Sequence, residues 1–343
     1  MPDVEAAEAV NVVNYSAHAI DDFRRIAEGT RSTAPHFART FSRLADTLDK
    51  SVKFLLPNCC ELLDPAVIGQ GHLDLLRLPY PYVALEAPWY RGNTVQQYGD
   101  VRKELVTKRI ALCWEAGIEG GPVDGLNSIL KTEKYRHGGI FVLPIYKAET
   151  QPIWTPLHGG VFVPYENKVV PGFPEIYAEA SKIAYDQRKE AGLVERWSKS
   201  WTVEPFVLMP DSWQDLVQRL GDKQRVLASI IDDSHDEVLM AVQTCAVLNC
   251  SNVRTAEVAP AAKLNRSRMR TGKTPFFTYK VLTVETDPSP KAQGNAQGGA
   301  HASPRMHLRR GHLRRVSERV VWVRPAMVGA HGLVEKDYRI RRT

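Results

Sequence analysis

Four short β-prone runs, separated by proline and glycine, constrain the fold of this chain more than any other sequence feature. Runs this short and this often interrupted predict a bent antiparallel or mixed sheet rather than a long parallel one. They occupy residues 82–86, 109–114, 140–146 and 161–165.

Helical patterns lie on both sides of these runs. Apolar residues recur every three or four positions from Phe37 to Leu55, which predicts one amphipathic helix. A shorter helix is predicted before it and ends at Gly29. The spacing of Ser234 and Glu237 predicts a capping box at the start of a further helix. Helices are predicted after the β-prone runs at 175–191, 212–220 and 235–248.

These patterns together predict an α+β fold with N-terminal helices, a mixed or antiparallel sheet and a basic β-rich C-terminal module. We expect a helical and mixed α/β body over residues 1–248 and the basic module over 249–343. Within the module, residues 286–304 are rich in Gly, Pro, Ala, Ser and Gln, which predicts a flexible insertion.

The charge of the chain is divided between these two parts. The net charge is +6, yet residues 251–343 hold 19 lysines and arginines against 6 acidic residues. The remaining residues are therefore acidic overall. Such asymmetry indicates an anionic partner for the C-terminal end.

The segment HLRRGHLRR, residues 307–315, is the most unusual of the chain because it repeats His-Leu-Arg-Arg around Gly311. In a regular strand His307 and His312 point to opposite faces, and a one-residue bulge at the glycine would bring them to one face. A guanidinium group can donate two parallel hydrogen bonds to two oxygens of one phosphate. The sequence therefore predicts a nucleic-acid-binding surface whose affinity falls steeply with salt. Its predicted residues are Arg309, Arg310, Arg314 and Arg315, with Arg266, Arg268, Arg270 and Lys273 from the basic run at 263–273.

Two alternatives stay open on the same residues. His307 and His312 are candidates for the general acid and base of a metal-independent nuclease, because phosphodiester cleavage needs little beyond these and a cationic group. The basic module is also suited to docking on an acidic protein surface, as a virion component or other interaction protein would. Whether the chain is an enzyme is therefore not decided by the sequence.

Several classes of function are not supported by any motif. There is no Walker loop, no dinucleotide fingerprint, no G-x-S-x-G and no H-E-x-x-H, so we predict no cofactor. The five cysteines form no metal-ligand spacing, and we predict no metal. No apolar run reaches the roughly 18 residues of a membrane-spanning helix, and no secretion signal is visible. We therefore expect a cytoplasmic protein with DNA or RNA as partner; the oligomeric state is not predicted.

Four segments together resemble a group of uncharacterised bacteriophage and prophage proteins that carry a C-terminal "RGH" segment ahead of an aromatic strand. The resemblance covers mainly residues 245–343. It implies a phage or mobile-element origin and the host cytoplasm, and it carries no activity. The segments are LPYPYVALEAP (78–88), VLNCSNV (247–253), GKTPFFTYKVL (272–282) and HLRRGHLRR followed by VVWVRPAMVG (307–315 and 320–329).

Overall fold

A computed structural model gives the conformation of most of the chain. Within the described ranges, no helix combines the length and the apolar character needed to cross a membrane. The structure describes residues 13–90, 97–98, 101–102, 106–118, 121–123, 126–173, 178–194, 199–284, 307–309, 312–316, 319–323 and 326–328.

The described residues alternate between helices and strands along the whole chain. The helices are α1 (Tyr15–Thr30), α2 (Pro35–Lys50), α3 (Gln70–Asp74), α4 (Leu126–Ile129), α5 (Glu179–Glu190), α6 (Trp213–Leu220), α7 (Lys223–Asp233), α8 (His235–Leu248) and α9 (Ala262–Arg270). The strands are β1 (Val52–Leu55), β2 (Tyr82–Pro88), β3 (Gln97–Tyr98), β4 (Val101–Arg102), β5 (Val106–Glu115), β6 (Gly139–Ala148), β7 (Thr155–Pro156), β8 (Gly159–Pro164), β9 (Val170–Pro171), β10 (Lys199–Ser200), β11 (Glu204–Val207), β12 (Val253–Val258), β13 (Tyr279–Val284), β14 (His307–Arg309), β15 (His312–Val316), β16 (Arg319–Val323) and β17 (Ala326–Val328).

One mixed sheet organises the molecule, in the order β11-β8-β6-β5-β2-β1-β13-β12, with β7 paired to β6. Strand β1 runs parallel to both of its neighbours, β2 and β13. The other pairings in this sheet are antiparallel. The predicted α+β fold with a mixed sheet is therefore confirmed, and each of the four β-prone runs contributes a strand.

Helices cover the two faces of this sheet and bury two apolar clusters. Helices α1 and α2 pack on one face, where Phe23 and Leu44 meet Ile110 and Phe141. Helices α7 and α8 pack on the other face, where Met240 and the rest of a second cluster are buried. Alternation along β5 divides its side chains between these two clusters, as expected for a sheet buried on both sides.

Glu86 of β2 fixes the start of helix α1. The first amides of a helix have no partner within the helix. Here the backbone N–H groups of Tyr15 and Ser16 donate to the Glu86 carboxylate at 2.8 and 3.0 Å. The Tyr279 hydroxyl of β13 also donates to it at 2.8 Å. Burial raises the pKa of Glu86, while these donors lower it. One buried carboxylate thus joins α1, β2 and β13.

The apolar stripe from Phe37 to Leu55 does not form one helix, so this prediction was wrong. Helix α2 ends at Lys50, and Val52 and Leu55 belong to strand β1. The side chain of Lys53 donates to the Leu48 carbonyl at 2.6 Å and also to two neighbouring carbonyls, which satisfies the end of the helix. Val52 and Leu55 continue the helical spacing by chance while belonging to a four-residue strand, so the periodicity alone runs past the true end of the helix.

The predicted capping box at α8 is also absent. Ser234 has helical backbone angles and makes no side-chain capping bond. Glu237 turns instead to Arg109 of β5, whose Nη1 donates to its Oε1 at 3.0 Å. Arg109 also lies over the ring of Trp89, 4.5 Å from the centroid. A buried cross-layer ion pair has replaced the local cap.

Part of the predicted C-terminal module belongs to the main sheet. Strand β13 pairs with β1, and β12 forms the edge beside it. The hairpin strands β15 and β16 pack against this edge through Trp322, which is buried as a core residue. The Trp322 indole N–H donates to the Leu62 carbonyl at 3.1 Å, and Asn252 bonds both backbone groups of Trp322.

Candidate functional site

Helix α9 carries the predicted basic run and lies on the surface, connecting β12 to β13. None of its residues is buried. The side chains of Arg266 and Arg270 are exposed, and neither has an acidic partner among the described residues. These two side chains are therefore accessible to an external anion.

Arg268, on the same helix, is used inside the molecule. Its guanidinium pairs with Asp21 of α1 at 2.5 Å, and its Nε donates to the Thr274 carbonyl at 2.6 Å. The group also lies 4.2 Å from the centroid of the Phe276 ring. The Arg268 side chain is only 11% exposed. Its position thus favours a tether between α9 and α1 over the predicted phosphate contact.

The end of α9 places Lys273 beside α1. Gly272 has a φ of +67°, which favours glycine because other residues are strained there. The Lys273 amide donates to the Arg268 carbonyl and the Gly272 amide to the Met269 carbonyl, which is a Schellman motif. This turn directs the chain back toward α1, and the Lys273 side chain is exposed next to it.

A cleft of about 720 Å³ opens between α1, the start of β5, the end of β6 and the turn after α9. Lys108 of β5 and Lys147 of β6 line it and stand directly opposite each other in the strand register. Both are half-buried. Like charges in such a cross-strand pair destabilise a sheet unless something compensates them. We call this site, with Lys273 at its rim, the lysine cleft.

The acidic residues that line the lysine cleft are already engaged by protein donors. Asp21 binds Arg268 and accepts from the Thr274 amide at 2.7 Å. Asp22 accepts from the Trp154 amide at 2.9 Å and pairs with Arg25. Within the described part of the chain, no acidic side chain pairs with any of the three lysines. Among the described residues, the positive charge of the lysine cleft is therefore not compensated by an ion pair.

His18 of α1 also lines the lysine cleft. Burial lowers the pKa of His18 below its usual 6.5; the charges of Arg268 and Lys147 lower it further, whereas those of Asp21 and Asp22 raise it. The ring is therefore neutral near neutral pH, with one donor and one acceptor nitrogen.

The predicted residues of the HLRRGHLRR segment lie elsewhere. Arg314 and Arg315 are exposed on β15. Arg309 and His307 lie in β14, where the structure describes the backbone pairing, and Arg310 lies outside the described residues. The hairpin contacts Ser251 and Asn252, whereas α9 follows the other end of strand β12. The two basic segments are therefore separated by the length of this strand.

The bulge expected at Gly311 lies outside the described residues. On either side of it, strand β14 pairs with β17, and β15 pairs with β16. The acid–base role of His307 and His312 stays a prediction.

The comparisons with known proteins add no relative. No family model matches the chain, and neither a curated protein nor a solved structure matches it. The resemblance to phage and prophage proteins thus stays a prediction. Among the described residues, no group of three or more His, Cys, Asp or Glu side chains is arranged to hold a metal ion.

Proposed function

We propose that this protein binds the phosphate groups of a nucleic-acid strand along the surface formed by helix α9 and the lysine cleft. One observation carries the proposal: Lys108 and Lys147 oppose each other, half-buried, without an acidic partner among the described residues. A sheet that accepts this repulsion gains stability when an anion occupies the space between the two charges.

The surroundings of the cleft extend this positive surface. Arg266 and Arg270 are exposed on α9, and Lys273, which follows this helix, lines the cleft. Successive phosphates of a strand offer a row of negative charges, and each lysine or arginine that neutralises one releases bound counterions. Exposed cations on α9 in addition to those of the cleft therefore suit a polymer of phosphates better than a single small anion.

Electrostatic contacts of this kind carry no base sequence information. The two aromatic side chains that line the cleft, Tyr15 and Trp154, are buried and offer no face on which a base could stack. We therefore propose backbone binding with little sequence preference.

Salt-dependent binding of a labelled single-stranded oligonucleotide tests the proposal. The double variant Arg266→Gln/Arg270→Gln removes two contacts, so we expect the magnitude of the slope of log K against log salt to fall by about 1.4 for a single strand. The matched control is Lys189→Gln/Lys223→Gln, which removes the same charge. Lys223 begins α7 and Lys189 lies on α5, which packs against α7 on the other face of the sheet.

The control variant should bind like the wild type at every salt concentration. Equal weakening of the variant and the control would show that net charge alone governs binding, and the proposed surface would then be rejected. A third variant, Arg314→Gln/Arg315→Gln, tests the predicted hairpin contacts separately. If it alone abolishes binding, the site lies on the hairpin and not on α9.

A further inference from the structure

We infer that the lysine cleft is a pocket for a phosphate monoester, so that it takes the phosphorylated end of a nucleic-acid strand. This inference rests on the proposed function and deepens it, because it names the part of the strand that enters the cleft.

The charge of the cleft exceeds that of one phosphodiester. Lys108, Lys147 and Lys273 have no acidic partner among the described residues, while Asp21 and Asp22 are bound by protein groups. A phosphodiester inside a strand carries one negative charge. A phosphate monoester carries about 1.5 to 2 negative charges near pH 7 and has three strong acceptor oxygens. The monoester therefore compensates the opposed lysine pair more completely.

The depth of the cleft favours a chain end. Lys108 and Lys147 are half-buried where β5 begins and β6 ends, and α1 forms a wall above them. A phosphate in the middle of a strand reaches such lysines only if the strand both enters and leaves the cleft. A terminal phosphate requires one path for the chain. Lys273, which is exposed, lines the cleft just after α9 and is within reach of the phosphate that follows the terminal one.

The donors in the cleft match the acceptors of a monoester. Each lysine ammonium group offers three hydrogen-bond donors and no acceptor. The neutral ring of His18 offers one further donor on the side formed by α1. Three lysines and one imidazole thus supply donors from both strands, from the helix and from the turn after α9.

Two measurements test this inference with the full chain. In the first, inorganic phosphate is added to the protein without nucleic acid, and the melting temperature is followed. We expect a rise of at least about 2 °C at saturating phosphate, because the anion binds the folded state. Chloride at the same ionic strength should give a smaller rise.

In the second measurement, oligonucleotides of one sequence are compared with a 5′-phosphate, a 3′-phosphate or hydroxyls at both ends. We expect one phosphorylated end to bind at least about fivefold more tightly, since a charge-assisted contact is worth a kilocalorie or more. Equal affinity for all three strands overturns the inference and leaves the proposed function intact. If no strand binds but inorganic phosphate still raises the melting temperature, the proposed function is rejected, whereas the cleft remains an anion pocket.

The variant Lys108→Gln/Lys147→Gln separates a binding role from a structural one. We expect it to melt at a higher temperature than the wild type without phosphate, because the repulsion is gone, and to lose the response to phosphate and to the terminal group. Lys273→Gln, which changes only an exposed side chain, should weaken both responses without altering the fold. If both variants keep the full phosphate response, the lysine cleft is not the binding site.

Discussion

The ion pair between Arg268 and Asp21 separates two roles for a residue that the sequence assigns to nucleic-acid binding. As a tether, Arg268 stabilises the folded protein through Asp21, and loss of either partner has the same consequence. As a phosphate ligand, Arg268 would become more available when Asp21 is replaced, and binding would tighten. We predict the first result for the variants Arg268→Gln and Asp21→Asn.

The size of the effect follows from the contacts of the Arg268 guanidinium. It makes hydrogen bonds of 2.5 and 2.6 Å to Asp21 and Thr274 and lies 4.2 Å from the centroid of the Phe276 ring. Breaking a fully buried pair costs about 3–5 kcal/mol, whereas exposed pairs contribute below about 1 kcal/mol. With side chains 11% and 24% exposed, this pair lies between these limits. We expect Arg268→Gln to lower the free energy of unfolding by about 2.5 kcal/mol.

A double-mutant cycle measured by urea unfolding is the appropriate assay. Only the Asp21 contact is shared by the two single variants, so we expect a coupling energy of about 1 to 1.5 kcal/mol. The matched control is Arg31→Gln, because Arg31 pairs with Glu28 at 2.8 Å while both side chains are about 70% exposed. The control should change the free energy of unfolding by less than about 0.5 kcal/mol.

Two results would refute this reasoning. A coupling energy below about 0.3 kcal/mol would show that the two residues act independently in solution. Tighter nucleic-acid binding by Asp21→Asn, together with weaker binding by Arg268→Gln, would return Arg268 to the set of phosphate ligands.

Three further predictions concern buried residues of the core. Glu86→Gln should lower the free energy of unfolding by about 2 kcal/mol in urea titrations, because its amide N–H₂ would face the backbone N–H of Tyr15 or its neighbour; an unchanged midpoint would contradict the anchoring role. Burial raises the pKa of Glu237 from 4.5 to about 7. Between these two pH values, the Glu237 carboxyl group is therefore more protonated in the folded state than in the unfolded state. Its contribution to the free energy of unfolding is therefore complete below about pH 4.5 and is lost as the pH rises through 7. Glu237→Gln should flatten this part of a plot of the free energy of unfolding against pH. Gly159→Ala should cost about 3 kcal/mol, measured by thermal unfolding, because an added Cβ would lie 2.0 Å from the Phe206 carbonyl oxygen; a wild-type melting temperature would argue against this close approach of β8 and β11.

The sequence predicts the helices and strands of this fold better than the tertiary contacts that their side chains make. The β-prone runs and the helix at 235–248 are present because alternation and helical periodicity are local properties. Glu237 has the spacing of a helix cap, yet it pairs with Arg109 from a distant strand. Local spacing cannot distinguish a helix cap from this ion pair, because Arg109 comes close to Glu237 only when the helix packs on the sheet.

The candidate site is harder to predict for the same reason. Lys108 and Lys147 are ordinary lysines at the ends of two apolar runs, and only the register of β5 and β6 brings them together. In the sequence, the lysine pair is indicated only if the two β-prone runs are assumed to pair antiparallel along their whole length. Conversely, Arg268 looks like its neighbours on α9 in sequence, while tertiary contacts give it a different environment.

The parallel pairing of β1 with β13 sets an order for folding during synthesis. Strand β1 leaves the ribosome early, but its second edge is covered only after residues 279–284 have been made. Until then the edge of β1 exposes unpaired backbone groups, and such edges promote association between chains. Contacts between such distant segments also form slowly. Helix α9 lies between β12 and β13, so its cations reach their final position in the same late step. A nascent chain therefore acquires its proposed binding surface only once its sheet is complete.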